Sequence, residues 1–339
     1  MNRRENATLP PSSYLPASAS DAKPTASTSG FIKFIRSGSI PLLIALLAYI
    51  AVISFIEPSF LAPYNIRNVL LQVSVTGIVT IGMTMMIISG QIDLSVGFLI
   101  SLVACVMAFL LKMGWPEPVV AVAGIALCMS TQSLTGLVVS RLKVEPFIIT
   151  LGTMAIYRGF ALLITKGAEI PLDGKFTFLG RSRFFEIPTP VYIFIGLCAA
   201  SWFVLNRTVF GRRVFAVGEN NDAAYLAGIN VRNFKVKVFA LHGFLVGVAA
   251  VILMSRIGVG SPTMASGLEL ETIAAAVVGG AALAGGRGSI FGSFLGVIFL
   301  GIISNSMNIV GVSTFWQYVM LGSVVVVAVV LGSLSREDH

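Results

Sequence analysis

Long apolar runs separated by short polar segments dominate this chain. Runs of about 17–24 residues are long enough to cross a bilayer as helices, and the sequence holds ten runs of this kind. They span residues 40–56, 66–89, 94–111, 118–140, 147–165, 188–205, 236–254, 270–285, 289–308 and 314–333. The pattern predicts an all-α polytopic membrane protein with about ten transmembrane helices.

The composition supports a membrane protein and excludes an ordinary soluble domain. Of the 339 residues, 56% are hydrophobic and only 11% are charged, and the mean hydropathy is +0.90. Soluble domains carry about 25% charged residues. The net charge of +8 does not indicate nucleic-acid binding, because the basic residues lie in short segments between the apolar runs.

Lysine and arginine predict the orientation, since cytoplasmic segments hold an excess of both. With the N-terminus inside, fifteen basic residues lie in cytoplasmic segments and seven on the opposite side. We therefore expect both termini to be cytoplasmic. Residues 1–36, rich in Ser, Pro, Ala and Thr, are predicted to form a disordered cytoplasmic tail. We expect residues 37–334 to form the transmembrane domain, 206–235 a cytoplasmic loop within it, and 335–339 the cytoplasmic C-terminus.

An aspartate interrupts the apolar pattern in the segment GQIDLSVG, residues 90–97. Asp93 would cost roughly 2.5–3.5 kcal/mol at the centre of a lipid-exposed helix. The segment is therefore either a loop that reaches water or irregular backbone buried inside the protein. We expect the carboxylate of Asp93 to accept hydrogen bonds from nearby backbone N–H groups, such as those of Ser95 and Val96.

A second irregular stretch, GGAALAGGRGSIFGSFLG, covers residues 279–296 and contains many glycines. Gly288, Gly292 and Gly296 form overlapping GxxxG steps, a spacing that lets helix backbones approach closely. Helix packing alone explains these glycines. The likeness between GQIDLSVG and GGRGSIFG is too weak to indicate a repeat.

Motifs for catalysis and nucleotide binding are absent from the sequence. It has no GxxxxGK[ST] phosphate loop, no GxSxG and no HExxH. Cys105, Cys128 and Cys198 lie in apolar runs without paired spacing, so we interpret them as small hydrophobic residues. We expect no catalytic residue, no metal site and no cofactor.

Two charged residues within the runs have competing interpretations. Arg158 lies in the middle of a predicted span, where an arginine usually faces a carboxylate or a wet cavity. A static ion pair or an arginine that extends to the interface explains it slightly better than direct contact with a substrate. Glu269 begins a predicted span, where a carboxylate is favoured by the helix dipole.

The loop at 206–235 contains the segment DAAYLAGI, which predicts a short helix. We expect Asp222 or Asn221 to cap this helix and Gly228 to end it. Small alanine side chains and flanking arginines suit docking to another protein. A solvated loop with one helical turn is an equally good interpretation of the residues alone.

Four segments, taken in order, resemble the motifs of one protein family. They are GQIDLSVG, VEPFIITLGTMAIYRG, GRRVFAVGENNDAAYLAGINV and LELETIAAAVVGGAALAGGRGS. The family is the bacterial ABC-importer permeases for ribose, xylose, arabinose and related sugars, and the resemblance covers about residues 40–333. The chain departs from the family pattern at Gln91, where a glycine is usual, and in GENND, where GGNP is usual.

The resemblance implies a ten-helix permease of the bacterial inner membrane that imports a monosaccharide or a related polyol. It would work as a dimer, with an identical or a similar permease subunit. Two cytoplasmic ATPase subunits, which bind the ATP, and a periplasmic sugar-binding protein complete the importer. The residues that look like the family's coupling to the ATPase are Glu219, Asn220, Ala223, Ala224, Leu226 and Gly228.

The resemblance also implies a signature bend along the translocation path. Its residues are Gly90, Asp93, Ser95, Gly97, Thr150, Thr153, Arg158, Glu269, Gly286 and Gly288. We favour a structural role for Asp93, because neutral sugars need no carboxylate and the flanking glycines suggest a tight turn. The alternative is an ion-coupled secondary transporter in which Asp93 and Arg158 form a relay. A scaffold without transport does not explain the polar groups and the broken helices.

Overall fold

Helices follow the apolar runs in the computed structural model, which describes residues 39–142 and 144–337. They are α1 Ser39–Ile56, α2 Pro63–Ile88, α3 Val96–Lys112, α4 Glu117–Arg141, α5 Pro146–Thr165, α6 Phe178–Arg181, α7 Thr189–Arg207, α8 Val209–Glu219, α9 Asn221–Leu226, α10 Val231–Ile257, α11 Leu268–Val278, α12 Ile290–Ile309 and α13 Thr314–Glu337. A short 3₁₀ turn covers Pro58–Leu61. The tail predicted at 1–36 lies outside the described residues. Of the predicted C-terminal segment, residues 335–337 continue α13.

Six helices in the described part of the chain are long and apolar enough to cross a membrane: α2, α4, α5, α7, α10 and α12. Shorter apolar helices cover Ile40–Ile56, Val96–Lys112 and Thr314–Val327. The predicted helix at 270–285 is wrong in its extent, because α11 ends at Val278. Gly280 and Gly285 have φ angles of 90° and 88°, which a right-handed helix cannot contain.

Helix α2 lies at the centre of the bundle, and α10 packs beside it. In their most apolar stretches, 89% of α2 residues and 72% of α10 residues are buried. Glycines let α10 approach α4 closely, since a Cβ atom at Gly247 would lie 2.7 Å from the Cα of Ile125. By contrast, α5 is only 17% buried and lies at the edge.

Short strands join segments at one end of the bundle. Strand β1 (Ile170–Pro171) pairs antiparallel with β4 (Val259–Gly260), and β2 (Arg183–Phe184) forms a hairpin with β3 (Ile187–Pro188). After β4 the chain runs along α3 towards its N-terminus, and the Ala265 amide donates to Ser101 Oγ at 3.3 Å. Helix α11 therefore begins inside the bundle rather than at its end.

Candidate functional site

The segment that contains Asp93 is a bend of irregular backbone, here called the first bend (residues 89–95). Gly90, with φ of 74°, stops α2. The Gly90 amide donates to Ile87 O and the Gln91 amide to Met86 O, both at 2.9 Å. This pair of bonds is a Schellman motif, which satisfies helix carbonyls that lack a partner within the helix.

Asp93 is completely buried and fastens the first bend. Its Oδ1 accepts from the Ser95 amide at 2.8 Å and from Ser95 Oγ at 2.6 Å. Its Oδ2 accepts from Gln132 Nε2 and lies 3.4 Å from His242 Nε2. The predicted bond from the Ser95 amide is confirmed. Val96 donates no bond to this carboxylate in the described residues.

The helices that hold Asp93 indicate its depth. Gln132 lies nine residues before the charged end of α4 at Arg141, and His242 lies ten residues after Arg232 near the start of α10. At 1.5 Å per residue, these positions are roughly 14–15 Å from the charged helix ends. This is about half of a hydrocarbon core 30 Å thick. Of the two interpretations of GQIDLSVG, buried irregular backbone is the one that the structure supports.

A second bend (residues 279–289) follows α11 and uses the same helix stop. The Gly280 amide donates to Val277 O at 2.8 Å and the Ala281 amide to Ala276 O at 2.9 Å. Ser289 then caps α12, because its Oγ accepts from the Gly292 amide at 2.9 Å. The predicted close packing of the glycines is confirmed, since a Cβ atom at Gly296 would overlap Ala275 O.

The two bends touch each other. The Gly286 amide donates to Ile88 O at 2.8 Å, which joins the second bend to the end of α2. A Cβ atom at Gly288 would lie 2.8 Å from the Ile88 side chain. From α5, Thr150 Oγ1 lies 3.4 Å from Ile92 O in the first bend, and Thr153 bonds to Thr150 O at 3.0 Å.

Glu269 and Gly97 meet on the other side of the first bend. Glu269 lies in the first turn of α11 and is only 8% exposed. A Cβ atom at Gly97 would overlap its Oε2 atom. This contact joins the start of α3 to the start of α11.

Arg158 lies apart from the cluster around Asp93. Its guanidinium carbon is 5.5 Å from the centre of the Phe98 ring, and the side chain is exposed on α5. It makes no ion pair within the described ranges. The static ion pair that the sequence allows as one explanation of Arg158 is therefore not seen among the described residues.

The segment 206–235 is more helical than the sequence predicts. Its helices α8 and α9 are here called the docking loop, after the docking interpretation made from the sequence. Helix α8 is anchored in the protein, because Val214 and Val217 are completely buried. The predicted N-cap of α9, Asp222 or Asn221, is wrong by one or two residues. Asn220 Oδ1 accepts from the amides of Asp222 and Ala223, both at 2.9 Å. Asn220 takes this role because its own backbone is extended, with φ of −156°.

Gly228 ends α9, as predicted. Its φ is 83°, its amide donates to Tyr225 O at 2.9 Å, and the Ile229 amide donates to Ala224 O at 3.0 Å. The side chains of Tyr225 and Leu226 are 71% and 84% exposed. Helix α9 therefore presents apolar side chains on a rigid base.

A cleft of about 1110 Å³ separates the docking loop from the connection between α4 and α5. Glu145 and Asp222 supply acidic groups to its walls, and Arg232 and Lys235 supply basic groups. Gly90 of the first bend also lines it. The cleft therefore extends from the exposed docking loop to the first bend.

Comparison with known proteins identifies the family. Residues 65–329 match the family described as "Branched-chain amino acid transport system / permease component". The chain belongs to this permease family. The ribose import permease protein RbsC of Bacillus subtilis (strain 168) is 38% identical over 291 residues, which are 85% of this chain and 90% of RbsC.

Two further relatives extend the similarity. RbsC of Escherichia coli (strain K12) is 38% identical over 296 residues, covering 85% of this chain and 92% of that protein. The xylose transport system permease protein XylH of the same strain is 31% identical over 384 aligned positions, which cover 94% of this chain and 98% of XylH. No solved structure matches the chain.

The predicted family is thereby confirmed. The chain is a multi-pass protein of the bacterial inner membrane and a permease subunit of an ABC importer, not an enzyme. The comparisons favour this function over an ion-coupled secondary transporter.

Sequence reasoning gave no role to Gln132 and His242, the two residues of this permease that contact Asp93 Oδ2 from α4 and α10. Each is a strongly polar side chain in the middle of a predicted span, which is costly in lipid and so indicates an internal partner. Room for the imidazole comes from Gly82, where a Cβ atom would overlap His242 Nδ1. The polarity was visible in the sequence, but the common partner was not.

Proposed function

We propose that this permease imports a monosaccharide or a small polyol. Its relatives of nearly full length are named for ribose and xylose, whereas the family description names branched-chain amino acids. Asp93 itself offers no free oxygen to the ammonium group of an amino acid, because both of its oxygens are already engaged by Ser95 and Gln132.

We propose that the importer contains a second permease subunit, identical or similar, together with two cytoplasmic ATPase subunits and a periplasmic sugar-binding protein. Both termini in the cytoplasm agree with fifteen basic residues inside against seven outside. In this topology the docking loop faces the cytoplasm, where an ATPase can reach it.

The exposure of α9 carries the docking proposal. Tyr225 and Leu226 project from a helix whose ends are fixed by Asn220 and Gly228, and α8 anchors that helix to the bundle. Exposed apolar side chains on a rigid base suit an interface with another protein. Glu219 and Ala223 are exposed on the same segment, whereas the side chain of Ala224 is buried and packs against the protein.

In the translocation path, we assign Asp93 a structural role. Its carboxylate connects Ser95 to α4 and α10. We therefore assign it to holding the first bend together and not to binding cargo. Arg158 has a different assignment, because an exposed mid-span arginine is costly in lipid. We propose that it faces the second permease subunit or the aqueous path beside it.

The test is uptake by right-side-out vesicles that contain the complete importer and its binding protein. Uptake of labelled ribose, xylose or erythritol should stop when internal ATP is depleted, even while a proton gradient persists. It should continue with an uncoupler present as long as ATP is maintained. Uptake that follows the proton gradient instead, or uptake of leucine alone, would contradict the proposal.

A further inference from the structure

The end of α8 contacts the place where the two bends meet. Val214 and Val217 fix α8 in the bundle, and Gly218 follows directly. A Cβ atom at Gly218 would overlap Ile88 O and would lie 2.8 Å from the Gly286 amide nitrogen. The absence of a side chain at Gly218 therefore lets the backbone of α8 lie on the hydrogen bond that joins the second bend to Ile88, the last residue before the first bend.

Glycines of the second bend also allow it to lie close to the end of α8. A Cβ atom at Gly285 would lie 2.6 Å from Gly218 O and 3.2 Å from the Cα of Gly90. A Cβ atom at Gly286 would overlap the Glu219 carboxylate. Three segments that are distant in the sequence therefore touch, and the contacts of Gly218 with Ile88 O and with Gly285 join backbone to backbone without a side chain between them.

Such a contact transmits displacement well. A side chain can change rotamer and absorb a shift, whereas two closely packed backbones can only move together or separate. Ile88 O accepts from the Gly286 amide at 2.8 Å, so a displacement of Gly218 acts on both bends at once. Five residues after Ile88, the first bend reaches Asp93 and its partners in α4 and α10.

We propose that Gly218 is a positioning residue, and that its backbone passes movements of the docking loop to both bends. This inference rests on the proposed docking of an ATPase at α9. It adds a specific consequence: the nucleotide state of the ATPase changes the two bends together.

The first experiment uses the unmodified complex of permease and ATPase in lipid nanodiscs. Amide hydrogen exchange is measured without the ATPase, with the ATPase alone, and with the ATPase bound to a non-hydrolysable ATP analogue. Protection at 219–229 when the ATPase binds reports docking. We expect the analogue to change exchange at both 86–95 and 281–289.

The outcomes separate the two proposals. Protection of 219–229 with unchanged exchange in both bends would overturn the role of Gly218 and leave the docking proposal standing. A response in one bend only would also overturn it, because the shared hydrogen bond requires both. No protection of 219–229 would overturn docking and the inference together.

The second experiment compares Gly218→Ala with Gly196→Ala in α7, where a new Cβ atom would have no neighbour within 4 Å. The readout is ATP hydrolysis with and without cargo-loaded binding protein. For Gly218→Ala we expect the stimulation to fall about tenfold, within the range typical of coupling between sites, while the ATPase still co-purifies. Gly196→Ala should behave as the unmodified protein. Equal stimulation in both variants would contradict the inference.

Discussion

The first and second bends begin alike and are held differently. Each follows a helix that ends in a Schellman motif, at Gly90 and at Gly280, and each leads to a serine at the start of the next helix, Ser95 and Ser289. The first bend is fastened by the buried carboxylate of Asp93. Close backbone contacts at its glycines hold the second bend.

The difference follows from the surroundings of each bend. The first bend passes between α4 and α10, where Gln132 and His242 offer polar side chains and the carboxylate of Asp93 is completely buried. A carboxylate there satisfies several donors that would otherwise be unpaired. The second bend lies against the backbones of α2 and α8, where a side chain would not fit. Irregular backbone inside a membrane protein can thus be held in two ways, by a buried carboxylate that accepts hydrogen bonds or by glycines that allow close backbone contact.

The largest effect is expected at the carboxylate itself. Asp93→Ala leaves the Ser95 amide and Gln132 Nε2 without their acceptor, and each unpaired buried donor costs about 1–3 kcal/mol. We expect low folding yield and loss of uptake. Asp93→Asn keeps an acceptor and the size of the side chain, so it should retain much of both.

The measurements are expression, homogeneity after detergent extraction, and uptake. Asp173→Ala is a suitable control, because that carboxylate is 70% exposed and lies 3.7 Å from Lys112. Equal loss of uptake in the Asn and Ala variants of Asp93, with both folded normally, would contradict the structural role.

In the second bend, Gly285→Ala and Gly280→Ala separate backbone strain from contact. Both positions have φ near 90°, so each alanine costs roughly 1–2 kcal/mol. Only Gly285 has a close neighbour, Gly218 O at 2.6 Å from the new Cβ position, whereas Gly280 has none within 4 Å. Thermal inactivation in detergent should be faster for Gly285→Ala. Equal rates would mean that strain, not contact, fixes this bend.

A double-mutant cycle measures how the first bend is held by His242. Asp93→Asn and His242→Gln should interact by about 0.5–3 kcal/mol, the range for residues in contact. The reference cycle combines His242→Gln with Asp173→Asn, a distant pair for which the changes in unfolding free energy should add. If the changes in unfolding free energy for Asp93→Asn and His242→Gln add, the imidazole of His242 does not help to hold the first bend.

The smallest effect is expected at the end of the docking loop. Gly228 has φ of 83° and no neighbour within 4 Å of a new Cβ atom, so a substitution there is strained but does not clash. Asn adopts this conformation more readily than Val. Gly228→Val should reduce stimulation of the ATPase by loaded binding protein, and Gly228→Asn should preserve most of it. Full stimulation with valine would argue against docking at α9.

Much of the architecture follows from local features of the sequence. Apolar runs predict the helices because unpaired backbone and charge are costly in lipid, and Gly228 predicts a helix end because it adopts positive φ. The bond from the Ser95 amide to Asp93 was predictable for the same reason, since it joins residues two positions apart. The N-cap of α9 was misplaced because Asn220, Asn221 and Asp222 are all good capping residues.

The tertiary structure alone decided which distant groups meet. Gln132 reaches Asp93 from a position 39 residues away, and His242 does so from another helix. Gly218 gives no local signal, because its importance depends on Ile88 and Gly286 lying against it. Apolar patterning determines that these helices leave water, but not which of them is buried in the protein, since α2 is 89% buried and α5 only 17%. Only the packed bundle brings the two bends and the docking loop into a shared backbone contact.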